Sequence, residues 1–164
     1  ISAMIRHRPR ALGRLWYMAL FQTRRLPERL LADPQGRLIR RLWSDWSPYW
    51  ASPKREMREV IERMTQPGVG RAALSYYRQL PDMLSPAGRR SWELLRQPIT
   101  RPLLALSGAE DGCIDPEVMP VALRPKWCRD AVESETLDAV GHFLHLEDPE
   151  RVNQRLISWL KRHP

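Results

Sequence analysis

The run Pro102-Leu103-Leu104-Ala105-Leu106-Ser107-Gly108 decides the reading of this 164-residue chain. It is apolar without alternation and ends on a glycine. A strand buried on both faces, as in a parallel sheet, reads this way. An acidic loop follows: Ala109-Glu110-Asp111-Gly112-Cys113-Ile114-Asp115-Pro116. Val132-Glu133-Ser134-Glu135-Thr136-Leu137 predicts a second, weaker strand, and Gly141-His142-Phe143 sits in the loop after it. Asp148-Pro149-Glu150 predicts the cap and first turn of a last helix, with Val152, Leu156, Trp159 and Leu160 as its buried side. Strand, acidic loop, helix, strand, His loop, helix is α/β grammar.

The chain upstream reads differently, as helices separated by prolines. Leu12, Leu15, Trp16, Ala19 and Leu20 fall at helical spacing. Pro27 suits the first turn of a short helix, and Leu38, Leu42 and Trp43 predict another. Ser44 to Trp50 reads as an aromatic loop. Ser52-Pro53 predicts an N-cap with Pro at the first helical position, opening a helix to about Thr65. Its apolar side is Met57, Val60, Ile61 and Met64. Gln66-Pro67-Gly68-Val69-Gly70 breaks it, and Arg71 to Leu80 is helical again.

Charge divides the chain in the same place. Residues 1–98 hold 19 basic and 8 acidic side chains, a balance of +11, while residues 99–164 hold 8 and 11, a balance of −3. Two parts are expected, 1–97 and 98–164. The basic residues are interleaved with acids, as in Lys54-Arg55-Glu56-Met57-Arg58-Glu59, and no nucleic-acid-binding pattern occurs. The charge therefore speaks for solubility, and no nucleic-acid partner is expected. Hydrophobic residues at 43% suffice for a core, and no apolar run approaches the ~20 residues of a bilayer-spanning helix. Cys113 and Cys128 make no disulfide framework, so a cytoplasmic location is expected. The chain starts at Ile1 rather than Met and is expected to be part of a longer gene product.

Asp111 lies three residues after the Gly that ends one strand, and His142 directly follows a Gly after the next. Ligands of open α/β sheets bind beyond the carboxyl ends of the strands, so both side chains are expected at one rim. A carboxylate on one imidazole nitrogen fixes the tautomer and leaves the other nitrogen as a general base.

These segments resemble the last third of an α/β-hydrolase, in which strand-Gly-x-x-Asp supplies the acid and Gly-His-Phe-x-x-x-Glu-x-Pro the base of a catalytic triad. Asp111 and His142 match those positions. Trp16-Tyr17-Met18-Ala19-Leu20-Phe21-Gln22 with Leu26-Pro27-Glu28 is similar to the first cap helix of epoxide hydrolases and haloalkane dehalogenases, with Leu15 where a Ser is usual. Ala73-Leu74-Ser75-Tyr76-Tyr77-Arg78 is similar to a later cap helix. The resemblance implies the C-terminal part of an α/β-hydrolase fold, its last two parallel strands with flanking helices, preceded by a helical cap. It implies that Tyr17 and Tyr77 hydrogen-bond an epoxide oxygen. No Gly-x-Ser-x-Gly or Gly-x-Asp-x-Gly elbow and no oxyanion loop occurs in the chain. A C-terminal fragment, silent by itself, is therefore expected.

The implied reaction is epoxide opening through an alkyl-enzyme ester that His142 and Asp111 help water to hydrolyse. A haloalkane or haloacid dehalogenase, or a serine esterase or lactonase, is the alternative. The aromatics suit a tunnel for a small lipophilic substrate, with Trp16, Phe21 and Phe143 expected to touch it. No cofactor is expected, and a homodimer is left open. His142, His145 and Glu147 could reach one ion, yet no further Cys/His spacing supports a metal site, and none is expected. Cys113 has no neighbouring base in sequence and reads as an inert thiol.

Overall fold

A computed structural model describes residues 13–51, 53–79, 82 and 85–164. They form two compact units. One is helical and holds Leu15–Ser44 and Ala51–Arg96; the other holds Gln97–Pro164 with Arg14 and Asp45–Trp50.

The helical unit contains α1 (Trp16–Gln22), α2 (Leu26–Leu31), most of α3 (Arg37–Trp46), α4 (Lys54–Met64), α5 (Val69–Gln79) and α6 (Pro86–Leu95). Tyr17 and Phe21, one turn apart on α1, are both buried, and so is Leu74 of α5, with no exposed surface. Leu31, Ile39, Leu42, Met57 and Ile61 complete the core. Gly36 stands before α3 with φ +62°, and a Cβ there would overlap the Ile61 side chain. Conformation and space therefore both require glycine.

Several boundaries differ from the sequence reading. α3 runs on to Trp46, through what reads as the start of an aromatic loop, because Trp43 and Leu42 bury one face. Pro53 occupies the N-cap position of α4 with extended backbone and no side-chain cap; Ser52, like Leu12 and Leu80, lies outside the described residues. α5 begins at Val69, and the break is confined to Thr65–Gly68, where Gly68 takes φ +84°. α6 is an additional helix. Ser85 caps it by accepting from Gly88 N–H at 3.0 Å, and Pro86 opens the first turn.

In the other unit, β1 (Leu103–Gly108) and β2 (Val132–Leu137) pair in parallel, with Leu103 opposite Val132 and Gly108 opposite Leu137. The connection holds a 3₁₀ turn (Pro116–Val118) and the single turn α7 (Met119–Ala122), less helix than the pattern suggests. α8 (Leu144–Glu147) and α9 (Pro149–Arg162) follow β2. Asp148 caps α9, accepting from Arg151 N–H at 3.1 Å. Leu137, Val140 and Val152 form the core, with Leu106 and Leu144 packed against them.

Two expectations about burial fail. Leu103 to Ser107 are half-buried rather than covered on both faces, because β2 is the one strand paired with β1 among the described residues. Leu156 and Leu160 are 41% and 58% exposed, whereas Val152 is buried. α9 meets β2 partly through charge instead. Arg155 and Arg162, two turns apart, pair with Glu135 and Glu133, which share one face of the strand. The Arg162 hydrogen bond holds the Glu133 carboxyl below its usual range.

One side chain ties three segments of the helical unit. Arg78 of α5 donates from Nε to the Phe21 carbonyl at 3.0 Å, from Nη2 to the Thr23 carbonyl at 2.6 Å and from Nη1 to Glu28 at 2.7 Å. The hydrogen bond from Arg78 holds the Glu28 carboxyl below its ordinary range. That contribution is present at neutral pH and is lost as pH falls through the depressed value. A lysine keeps the charge but cannot span three acceptors in a plane. Arg78→Lys should therefore lower the thermal midpoint by roughly 2–8 °C, given about 1–2 kcal/mol of lost hydrogen bonding. Calorimetry or circular dichroism reads this directly. An unchanged midpoint would show that the three contacts do not hold α5 to α1 and α2.

Candidate active site

Parallel pairing in register brings the ends of β1 and β2 side by side, so the loops that follow leave from one edge. Two backbone bonds knit them there, and a third closes the turn of the first loop. Ala109 N–H donates to the Leu137 carbonyl at 2.9 Å, Glu110 N–H to the Val140 carbonyl at 2.9 Å, and Asp111 N–H back to Gly108 at 3.3 Å. A Cβ at Gly108 would overlap the carbonyl oxygens of Val140 and Gly141. The glycine ending the first strand is what lets the second loop approach.

Asp111 is 7% exposed, and both carboxylate oxygens are engaged. Oδ1 accepts from the N–H groups of Cys113 at 2.7 Å and Ile114 at 2.8 Å, a local turn closed by the side chain. Oδ2 lies 3.0 Å from Nδ1 of His142. With the carboxylate accepting, the network places the imidazole proton on Nδ1 and leaves Nε2 with its lone pair. The His142 side chain is 28% exposed and Asp111's 8%, so the carboxylate is the inner member.

The segment at the end of α3 holds both loops. The Trp46 carbonyl accepts from Gly112 N–H at 3.0 Å and from His142 N–H at 3.2 Å. Ser47, 2% exposed, accepts from the same His142 N–H at 3.0 Å and donates to Glu147 Oε1 at 2.8 Å. Glu147 then closes the loop on itself. Its Oε2 accepts from Gly141 N–H at 2.8 Å and its Oε1 from Phe143 N–H at 3.0 Å. A Cβ on Gly141 would come within 2.6 Å of Ser47 Oγ, so this glycine too is set by close approach.

Nothing in the sequence singles out Ser47 or the carbonyl of Trp46 for the site, and Glu147 reads there only as a metal ligand. The metal set His142, His145 and Glu147 is not assembled. Glu147 spends its oxygens on the backbone and Ser47, and His145 is exposed. The one signal for Glu147 was its place in Gly-His-Phe-x-x-x-Glu. Nothing marks the Trp46 carbonyl, because a backbone acceptor has no residue signature. Cys113, which has no base beside it in sequence, has His142 near it in the fold. Its sulfur and ligand atoms of Asp111 and His142 all lie within 4.8 Å of one another. Phe143 stands 5.3 Å from the His142 ring, 5.9 Å from Trp46 and 6.0 Å from Trp50, measured between centroids.

Tyr17 and Tyr77 belong to the helical unit, where α1 and α5 bring them together. Their ring centroids are 5.9 Å apart at 88°. Phe21 completes an edge-to-face trio, 5.6 Å from Tyr17 and 4.9 Å from Tyr77. Tyr76, the next residue around α5, is 67% exposed. Trp16 is 39% exposed, and its ring lies 6.4 Å from Tyr17.

Glu147→Gln tests the His loop. An amide replaces one acceptor oxygen with a donor, which must then face Gly141 N–H, or Phe143 N–H and Ser47. The substitution should cost about 1–3 kcal/mol, seen as a lower urea midpoint with an unchanged slope. An unshifted midpoint would mean that the loop is held without Glu147.

Neither a protein-family model nor a curated protein matches this sequence. Solved structures do. A candidate epoxide hydrolase from Klebsiella pneumoniae subsp. pneumoniae shares 26% identity over 92% of this chain and 50% of its own, with a TM-score of 0.75. The Cif epoxide hydrolase from Acinetobacter nosocomialis shares 23% over 88% of this chain and 44% of its own, with a TM-score of 0.72. Cfl2 from Burkholderia cenocepacia shares 22% over 90% and 48%, with a TM-score of 0.65. The chain spans half or less of the length of these proteins. No helix among the described residues is long and apolar enough to cross a membrane. The chain has the fold of the C-terminal part of an α/β-hydrolase and is similar, over about nine-tenths of its length, to solved epoxide hydrolases.

Proposed function

We propose that this chain supplies the cap and the acid–base half of an epoxide-opening hydrolase, residues 1–97 serving as cap and 98–164 as the end of the core. The observation that carries the reading is the 3.0 Å contact between Asp111 Oδ2 and His142 Nδ1, on a fold shared with epoxide hydrolases. The epoxide reading requires a carboxylate nucleophile, and no elbow motif that would present one occurs within these 164 residues.

The carboxylate oxygen attacks an epoxide carbon, the carbon–oxygen bond breaks, and an alkyl ester forms. Negative charge grows on the departing oxygen. Tyr17 and Tyr77, presented from α1 and α5, donate hydrogen bonds to it and one of them passes it a proton. In the second step His142 Nε2 takes a proton from water, whose oxygen attacks the ester carbonyl. Asp111 stabilises the imidazolium at Nδ1–H. Collapse expels the alkoxide, which takes the proton of the new carboxyl group and leaves as a diol; the carboxylate is restored, and the proton on His142 returns to the tyrosinate by way of solvent. Trp16, Phe21 and Phe143 contact a small lipophilic substrate.

The 164-residue chain by itself should turn over neither styrene oxide nor p-nitrophenyl esters. Turnover by it would mean that a nucleophile lies among its own residues. In the polypeptide that includes the nucleophile, Tyr17→Phe and Tyr77→Phe should each slow epoxide opening by about 10- to 1000-fold. His142→Gln should instead leave opening intact and accumulate the ester, visible as a mass increase of one substrate. Phe variants that open epoxides at the parent rate would make the tyrosines packing residues and favour a dehalogenase or an esterase.

A further inference from the structure

We propose that Asp111, Cys113 and His142 form a binding site for a thiophilic divalent cation of the zinc class. The inference stands on their geometry and does not depend on the epoxide reading. One ligand atom from each of the three lies within 4.8 Å of the other two. Around a tetrahedral ion with bonds of about 2.0–2.3 Å, neighbouring ligand atoms stand roughly 3.3–3.6 Å apart. The Asp111–His142 contact at 3.0 Å is already near that spacing, and side-chain rotation covers the rest.

The chemistry of the donor set selects the ion. A thiolate and a carboxylate balance a double positive charge, with a neutral imidazole as third ligand. Sulfur and imidazole together favour Zn²⁺, Co²⁺ or Cd²⁺ over Mg²⁺ and Ca²⁺. Three protein ligands leave a fourth position for water. Binding is a proton exchange: the Cys113 thiol gives its proton to solvent as the metal–sulfur bond forms, and the imidazole proton sits on whichever nitrogen is not bound.

The surroundings orient these ligands. Asp111 Oδ1 holds the N–H groups of Cys113 and Ile114, which turns residue 113 back toward the carboxylate. The His142 backbone is fixed by Trp46 and Ser47. Such outer contacts position metal ligands elsewhere. A cavity of about 340 Å³ borders Asp111, and among the described residues it is lined by Glu110, Asp115 and Glu117, with Arg14 the one cation. Its acidic wall raises the local concentration of cations. A bound ion would take Asp111 away from the imidazole and silence the pair as a base.

The purified chain, without a histidine tag, is titrated with Co²⁺ at neutral pH. The expected result is one equivalent bound, with a thiolate-to-cobalt charge-transfer band and the visible bands of a tetrahedral site. Zn²⁺ should displace Co²⁺, and Mg²⁺ should not. Cys113→Ser should abolish the charge-transfer band and weaken Zn²⁺ binding by more than the roughly 10- to 100-fold that losing an outer-shell contact costs. Cys128→Ser, which alters the other buried cysteine, should leave both unchanged. No charge-transfer band in the parent chain, or a band lost with Cys128 rather than Cys113, would overturn the site. The parent spectrum and Cys128→Ser decide the matter even if Cys113→Ser fails to fold.

Discussion

A single backbone oxygen holds the candidate site together. The Trp46 carbonyl accepts from Gly112 in the acid loop and from His142 in the base loop, 30 residues apart in sequence. Parallel pairing brings the two loops to one sheet edge, but pairing alone does not set the distance between two side chains on flexible loops. A shared acceptor does, because moving either loop breaks a bond to the same atom. Ser47 repeats the device one residue later with its hydroxyl, and Glu147 extends it to Gly141 and Phe143. Buried networks of this kind are stable only when their members are satisfied, and here the Trp46 carbonyl, the Ser47 hydroxyl and both Glu147 oxygens each have partners.

The legible part of this molecule is the part carried by side-chain pattern. Pro102 to Gly108 marks a strand because its apolar run is short and bounded by Pro and Gly, although among the described residues one strand alone pairs with it. Asp111 and His142 stand out because one follows the glycine that ends β1 and the other a glycine in the loop after β2, and side chains in those places reach one rim. The placing of Tyr17 and Tyr77 on two separate helices is legible through likeness to cap helices rather than through spacing.

What stayed hidden depends on partners far along the chain. Trp46 acts through its carbonyl, which every residue has. Ser47 looks like a turn former until its partners at 142 and 147 are known. Cys113 has no base beside it in sequence, and folding supplies one from 29 residues away. The exposure of Leu156 and Leu160 has the opposite cause: helical periodicity predicts which face is apolar, not how much protein covers it. The Ser85-Pro86 start of α6 carried the same signal as Ser52-Pro53, and the pattern was there to be read.

The central claim is that Asp111 orients and polarises His142 through Nδ1. Imidazole ¹⁵N–¹H correlation spectroscopy of the chain tests it most directly. The account predicts that His142 carries its proton on Nδ1, with a resonance shifted strongly downfield by the carboxylate and moved upfield in Asp111→Asn. A His142 protonated on Nε2, or an Nδ1 signal indifferent to Asp111→Asn, would contradict it.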